Sequence, residues 1–157
     1  MKQYLQKFNL LSGPKWIIIL ILSLSLLGFI DAVYLTVDHY TNTIPPCSFG
    51  SCETVLTSQY AVILGIPTAL LGSIYYLFLM IFLFLYLDFK KEIFLKIPFF
   101  ISAIGLLLSV FFILLMIFVI KAICIYCIIS DTISIGIFCL FIYYLWKSQY
   151  SLQQVQE

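Results

Sequence analysis

The sequence predicts an all-α membrane protein, a four-transmembrane-helix bundle with a short interfacial helix in the first outer loop. Hydrophobic residues make up 64% of the 157 positions and charged residues only 10%. The apolar residues form four stretches of membrane-spanning length. This composition excludes a soluble globule and a disordered chain, and a net charge of +1 excludes a nucleic-acid binder. The length predicts one domain over residues 1–157.

Each apolar stretch can cross about 30 Å of hydrocarbon as a helix. Helices are expected because lipid offers no hydrogen-bond partner to free backbone groups, and the chain lacks the alternating strands of a barrel. A cleaved signal peptide is the alternative for the first stretch, but apolar character resumes after Asp31. The predicted spans are residues 16–37, 66–87, 98–120 and 123–146.

Lysine placement predicts the orientation of these spans. All lysines but one fall before the first span, between the second and third, or after the fourth, and these segments share one side of a four-span chain. The exception is Lys121. By the positive-inside rule, both termini and the 88–97 connection are expected in the cytoplasm, and the 38–65 loop and the turn at 121–124 outside. The lysines on the predicted cytoplasmic side are Lys2, Lys7, Lys15, Lys90, Lys91, Lys96 and Lys147.

Four of the five cysteines fall on the predicted outer side as two close pairs, Cys47 with Cys52 and Cys124 with Cys127. Disulfides form and persist on that side of a membrane. The pairs are therefore expected to be redox-active or structural. Cys139 lies further along the fourth span and is interpreted as a packing residue.

The spacing Cys124-Ile-Tyr-Cys127 places two sulfurs on one helix face, where they can meet. We expect this pair in the first turn of the fourth span. Free N–H groups and the helix dipole stabilise a thiolate there, and Lys121 adds positive charge. The thiolate is the species that attacks a disulfide.

The Cys47–Cys52 pair lies in a loop whose spacers include Gly50, so it can close a disulfide without a rigid helix. Ser51 is expected to cap a short helix with Glu53 in its first turn. Such a loop can swing outward to a soluble protein and inward to the other pair. The side chains expected on the bilayer surface are Val55, Leu56, Tyr60 and Ile63.

Two alternative hypotheses for the four thiols stay open. The chain can be a non-catalytic membrane protein held by structural disulfides. Alternatively, four thiolates can form a tetrahedral metal site, although zinc would then have to survive an oxidising face, and we predict no metal.

Three polar residues within or beside the spans are also candidates for functional roles. Asp31 and Asp131 lie inside apolar spans, where carboxyl groups usually face a bundle interior or a wet cavity. Asp131, one turn beyond Cys127, is a candidate proton donor; the alternative is a carboxylate bonded to a neighbouring hydroxyl. His39 is interpreted as an interfacial residue rather than a proton shuttle.

Taken together, these motifs resemble the bacterial form of the vitamin K epoxide reductase family. The resemblance covers about residues 28–130. It rests on Gly28-Phe-Ile-Asp31-Ala-Val-Tyr34-Leu35-Thr36, Cys47-x4-Cys52, Ser58-Gln-Tyr60-Ala61, Gly65-Ile66-Pro67, Gly72, Tyr75–Tyr76 and Cys124-Ile-Tyr-Cys127.

The resemblance implies a bundle around a quinone, ubiquinone or menaquinone, in a bacterial inner membrane. It implies electron flow from a thioredoxin-fold thiol protein to Cys47–Cys52, then to Cys124–Cys127, then to the quinone. Within this scheme Cys47 meets the partner, Cys52 meets Cys124, and Cys127 faces the quinone. Members often carry a fused thioredoxin-like domain, which we do not expect here, so the partner is expected to be separate.

The resemblance also extends to single residues. Ser58 matches the family's serine six residues after the second loop cysteine, near the active site. Asp131 stands where human members have a tyrosine that faces the quinone. The resemblance therefore does not imply vitamin K epoxide as a substrate, and Asp131 is a candidate quinone contact.

Overall fold

A computed structural model describes residues 15–41, 43, 45, 47, 51–91 and 93–153, with side chains up to residue 148. Lys2, Lys7 and Gly50, which entered the predictions above, lie outside the described residues. Within this part of the chain, four helices are long and apolar enough to cross a membrane. The chain is therefore a multi-pass membrane protein, and the predicted four-helix bundle is confirmed.

The elements follow one another with short connections except before the second long helix. They are α1 (Lys15–Thr41), α2 (Cys52–Leu56), β1 (Val62–Ile63), β2 (Ile66–Pro67), α3 (Thr68–Phe89), α4 (Ile93–Leu114), which continues as a π-helix (Leu115–Ile120), and α5 (Ile125–Gln153).

The long helices run up and down. Gly28 of α1 packs against Tyr76 of α3, and Ala32 against Gly72, so that the residue numbers rise along one helix as they fall along the other. Phe99 of α4 stacks on Phe138 of α5. The four helices therefore present one end that carries both cysteine pairs, called here the cysteine end.

The buried core lies in the half of the bundle away from the cysteine end. Aliphatic side chains of α1 and α3 pack there against aromatic residues of α5, and the hydroxyls of Tyr86 and Tyr144 share a hydrogen bond of 2.9 Å. The core includes Ile17, Ile21, Leu79, Leu83, Ile137 and Phe141. This packing holds the helices together and leaves the other half free to form a site.

The helix ends differ from the predicted spans. α1 continues to Thr41 rather than 37, because Asp38 and His39 sit in its last turns at the membrane surface. α4 begins at Ile93, so Pro98 lies inside the helix rather than at its start. The exposed Lys96 interrupts the apolar run but not the helix.

A two-stranded hairpin precedes α3, which begins at Thr68 rather than 66. Val62–Ile63 pairs with Ile66–Pro67. Leu64 and Gly65 both have positive φ, 53° and 83°, as a two-residue hairpin turn with primed geometry requires. Gly65 supplies that conformation without strain.

The Gly28–Tyr76 contact supplies a test of the helix packing. A Cβ on Gly28 would overlap the Tyr76 ring, whereas a Cβ on Gly136 would meet no described atom within 4 Å. We expect Gly28→Ala to lower the free energy of unfolding by about 1–3 kcal/mol. The matched control, Gly136→Ala, should keep or raise it. Thermal unfolding of the detergent-solubilised protein measures both; equal stability of the two variants would contradict this packing.

Candidate functional site

The loop pair is closed. Cys47 and Cys52 form a disulfide with a Cα–Cα distance of 6.2 Å, within the usual range. Cys52 opens α2 and is only 1% exposed, while Cys47 is half-buried. The predicted short helix is therefore present, with Glu53 in its first turn.

Ser51 holds the loop pair in place in an unexpected way. Its hydroxyl makes no capping hydrogen bond, so the prediction of a side-chain cap is wrong. Instead, its backbone N–H donates to the carbonyl of Ile123 at 2.9 Å. This bond ties the loop disulfide to the residues that lead into α5.

The inner pair, Cys124 and Cys127, is not disulfide-bonded, and a hydrogen bond joins its two sulfurs. The S–H of Cys127 donates to the Cys124 sulfur at 2.8 Å, and the Cys127 backbone N–H donates to the same sulfur at 3.4 Å. The Ile128 N–H donates to the Cys124 carbonyl at 3.1 Å. Cys124 therefore stands in the capping position of α5, immediately before the helix, and the prediction that it lies in the first turn is wrong by one residue.

These hydrogen bonds lower the pKa of Cys124 below its ordinary value. The largest cause is the S–H of Cys127, and the backbone N–H groups of Cys127 and Tyr126 act in the same direction, against the opposing effect of burial. The direction agrees with the expectation from sequence. The free N–H groups expected from the sequence are among the causes, but the largest is the S–H of Cys127, which was not expected from the sequence, and Lys121, expected to add positive charge, is exposed.

Both pairs belong to one packed cluster at the cysteine end. Cys52 and Cys124, 1% and 0% exposed, are buried in it, and Cys47 and Cys127 pack against it. The π-helix at the end of α4 contributes Met116, and the chain then turns back at Lys121, whose φ is 53°. Val55 is also buried here, so the prediction that it lies on the bilayer surface is wrong.

A cavity of about 480 Å³ adjoins this cluster between α3, α4 and α5. Its walls are mostly aliphatic and aromatic, and α2 and the hairpin cover it. Of the residues predicted for the site, Cys127, Ser58 and Asp131 line the cavity. Cys47, Cys52 and Cys124 do not, so Cys127 alone of the four thiols belongs to both the cluster and the cavity wall.

The polar groups of the cavity wall are held in defined positions. The Ser58 hydroxyl donates to the Val55 carbonyl at 2.7 Å. One carboxyl oxygen of Asp131 is hydrogen-bonded to Ser109. Its Oδ2 is buried and has no hydrogen-bond partner among the described residues. The bond to Ser109 agrees with the alternative of a carboxyl group bonded to a neighbouring hydroxyl, and the role of Asp131 as a proton donor stays a prediction.

The sequence indicates Tyr75 and Tyr76 only as part of the family motif, and it does not point to the serines that bond to them in this wall. The Tyr75 and Ser134 hydroxyls are 3.1 Å apart, and the Tyr76 hydroxyl donates to the Ser130 carbonyl at 2.7 Å. Ser130 and Ser134 are four residues apart, one turn, within an apolar span. Small polar residues at this spacing are the usual mark of a helix interface in membranes.

Comparison with protein families decides what kind of bundle this is. The family model described as Vitamin K epoxide reductase family matches residues 19–142, most of the chain. The chain belongs to the vitamin K epoxide reductase family. A search of the curated proteins finds no match. Members of this oxidoreductase family couple thiol–disulfide chemistry to a quinone, which agrees with two cysteine pairs beside an apolar cavity.

The hydrogen bond between the inner thiols gives a pH-dependent prediction. Because the pKa of Cys124 is lowered, its thiolate persists at lower pH than that of an ordinary cysteine, whose pKa is about 8.5. Cys127→Ala removes the strongest donor, so the pH midpoint for alkylation of Cys124 should rise. The measurement is mass-spectrometric alkylation of the reduced protein over a pH series. Cys139→Ala, on an exposed residue of α5, should leave the midpoint unchanged; a Cys127→Ala midpoint at or below wild type would refute the assignment.

Proposed function

We propose that this protein generates disulfides by oxidising an extracytoplasmic thioredoxin-fold partner and reducing a membrane quinone. Electrons pass from the partner to Cys47–Cys52, then to Cys124–Cys127, then to the quinone in the cavity. The observation that carries the proposal is the position of Cys127. It touches the cluster that contains the loop disulfide and also lines the cavity, so one sulfur connects the two halves of the reaction.

The sulfur steps balance as two-electron exchanges. A partner thiolate attacks Cys47, the Cys47–Cys52 bond breaks, and Cys52 leaves as a thiolate. The second partner thiol loses its proton and displaces Cys47, so the partner is oxidised and the loop pair reduced. The Cys52 thiolate then attacks Cys124 of the oxidised inner pair, the Cys124–Cys127 bond breaks, and Cys127 leaves as a thiolate. Cys47 then attacks Cys52 and displaces Cys124, which leaves the loop pair closed and the inner pair reduced.

Burial favours this order of contacts. Cys47 is the more accessible sulfur of the loop pair, and Cys52 is the one packed with Cys124. In the reduced inner pair, the hydrogen bonds to Cys124 place the thiolate there and the proton on Cys127. When the pair closes again, it releases two electrons and that proton toward the cavity.

The residues of the cavity fit a quinone. A volume of about 480 Å³ with apolar walls suits a ring and the start of an isoprenoid tail. The buried Asp131 Oδ2, without a partner among the described residues, is placed to hold a proton beside the ring, and Ser58 and Ser130 supply further polar contacts. The quinone, when bound, supplies the electron sink by accepting two electrons and two protons.

The lysines support an orientation with the cysteine end outside. Among the described lysines, Lys121 lies at the cysteine end, while Lys15, Lys90, Lys91 and Lys147 lie at or near the opposite helix ends. The positive-inside rule then favours an orientation with the opposite end in the cytoplasm, and the resemblance to the bacterial form of the family implies an inner membrane. In this orientation the loop disulfide meets proteins outside the cytosol.

Replacing Cys127 should stop electron transfer at a disulfide between the two cysteine pairs. In Cys127→Ala the inner pair cannot close, but the Cys124 thiolate can attack Cys52 of the closed loop pair and release Cys47 as a thiolate. No Cys127 is then present to pass the electrons on to the quinone. We expect a Cys52–Cys124 disulfide in peptide mapping and loss of quinone reduction. Cys139→Ala is the matched control and should behave as wild type. Sustained oxidation of a thioredoxin-fold partner by Cys127→Ala would defeat the proposal.

Removing the proton of Asp131 should separate sulfur exchange from quinol formation. Asp131→Asn keeps the shape of the side chain, so reduction of the inner pair by dithiothreitol should proceed at the wild-type rate. Quinol formation should slow at least about tenfold, as expected for loss of a positioned acid. Asp88→Asn, an exposed carboxyl at the other end, serves as the control. Unchanged quinol formation would remove Asp131 from the mechanism.

A further inference from the structure

The proposed relay moves electrons and protons by different routes. In thiol–disulfide exchange the electrons pass from sulfur to sulfur, whereas the protons of the partner's thiols are released to water at the outer surface. In the inner pair the hydrogen bond from Cys127 holds one proton between the two sulfurs, and in the proposed relay Cys124 reacts as a thiolate, so the pair brings this one proton with its two electrons. Formation of a quinol needs two protons. One proton per turnover must therefore reach the cavity by another path.

A line of polar side chains runs along α1 on the side that faces α5. Asp31, Tyr34 and Asp38 are spaced three and four residues apart, so they lie on one helix face over two turns. Three polar groups in register within an apolar span are costly in lipid unless they contact one another or a partner helix.

Side chains along this line interact with one another and with α5. Tyr34 is hydrogen-bonded to Asp38 on its own helix and to Tyr126 on α5, and the two tyrosine rings are 5.7 Å apart. One turn deeper, Asp31 is hydrogen-bonded to Ser130 on α5. Because Tyr126 and Ser130 are also one turn apart, the two helices form matching polar ladders.

The line begins at water and ends at the cavity. At the outer end, the Thr43 hydroxyl donates to Asp38 at 2.9 Å, and Tyr34 is 39% exposed. At the inner end, Ser130 lines the cavity, and the Tyr76 hydroxyl lies 3.3 Å from its hydroxyl. Tyr34 and Asp31 are three residues apart, a rise of about 4.5 Å along the helix axis, and a water molecule can bridge polar groups at such a separation.

Both carboxyl groups of the line have room for a proton. Asp31 Oδ2 and Asp38 Oδ2 are buried and have no hydrogen-bond partner among the described residues. A buried oxygen of this kind in a native structure calls for a specific explanation. Asp31 interacts electrostatically with Cys124, just before α5, with Cys127 of α5 and with Tyr76 of α3, so protonation of Asp31 is linked to the charge on the inner sulfurs.

We propose that Asp38, Tyr34, Asp31 and Ser130 form the path by which the second proton of each turnover travels from the outer surface to the quinone cavity. Water protonates Asp38, the proton passes through Tyr34 and Asp31, and Ser130 delivers it to the cavity. No electron moves along this line. The inference rests on the proposed function, but it assigns proton transfer to α1 residues that take no part in sulfur exchange.

The test compares Asp31→Asn and Tyr34→Phe with Tyr40→Phe, a matched tyrosine control at 64% exposure further along α1. Two steps are timed separately in the full-length protein: reduction of the inner pair by dithiothreitol, followed by alkylation, and reduction of a short-chain ubiquinone. We expect Asp31→Asn and Tyr34→Phe to keep the first rate within about twofold and to slow the second at least about tenfold. Tyr40→Phe should match wild type in both.

Chemical rescue separates proton transfer from a structural role. Formate or acetate should restore part of the quinol-forming rate of Asp31→Asn, because a small acid can replace the missing proton donor. Equal slowing of both steps, a wild-type second rate, or lack of rescue would overturn the path. If Asp31→Asn shows no thermal unfolding transition, the variant is not folded. The rates of inner-pair reduction and quinone reduction in Tyr34→Phe then decide whether the path is correct.

A readout without quinone keeps this inference distinct from the proposed function. Infrared difference spectra between the oxidised and reduced inner pair should contain a carboxyl C=O band that Asp31→Asn abolishes, because Asp31 and the inner sulfurs interact. Absence of that band in wild type would overturn the path. If wild type exchanges thiols but reduces no quinone, the proposed function fails, and the infrared band still decides whether Asp31 responds to the sulfurs.

Discussion

The hydrogen bond from the Ser51 N–H to the Ile123 carbonyl, with the packing around it, sets the relation between the two cysteine pairs. It fixes the backbone next to Cys52 against the backbone next to Cys124. Val55 and Met116 then fill the space around both sulfurs and exclude water. Thiol–disulfide exchange requires one sulfur to approach another along a defined direction, so a loop held in this way starts close to the reactive arrangement.

The same attachment determines how the cavity is closed. α2 begins at Cys52, and its last residues and the hairpin that follows cover the mouth between α3 and α4. A loop disulfide that opens or closes therefore acts on the element that shields the cavity. Cys127 faces inward from the first turn of α5, where both the cluster and the cavity reach it. Under the proposed function, sulfur exchange takes place at the cysteine end and quinone reduction one turn deeper.

Much of this arrangement follows from the sequence, and the exceptions have physical reasons. Apolar stretches locate the four helices because a span must be about twenty residues long, and the cysteine spacing locates both pairs. Helix ends are less certain, since Lys96 and His39 remain within helices whose ends reach the membrane surface. The hairpin before α3 depends on positive φ at Leu64, and nothing in a leucine signals that conformation.

Which faces of the spans turn inward is harder to predict. In a soluble protein, polar residues mark the outer face, but lipid and protein core are both apolar, so periodicity carries little information here. The sequence therefore predicts Val55 on the membrane surface, although it packs in one cluster with Cys52. The sequence offers Tyr75 and Tyr76 only as part of a family motif, and their hydrogen bonds to serines on α5 are visible only in the structure.

Transfer between the pairs is the central claim, and a time course can observe it directly. The fully oxidised protein is mixed with one equivalent of a dithiol partner, samples are quenched by alkylation, and the two new thiols are located by mass spectrometry. The account predicts that thiols appear first at Cys47 and Cys52 and decay at the rate at which they rise at Cys124 and Cys127. Thiols that remain on the loop pair, or that arise at the inner pair without passing through it, would contradict the account.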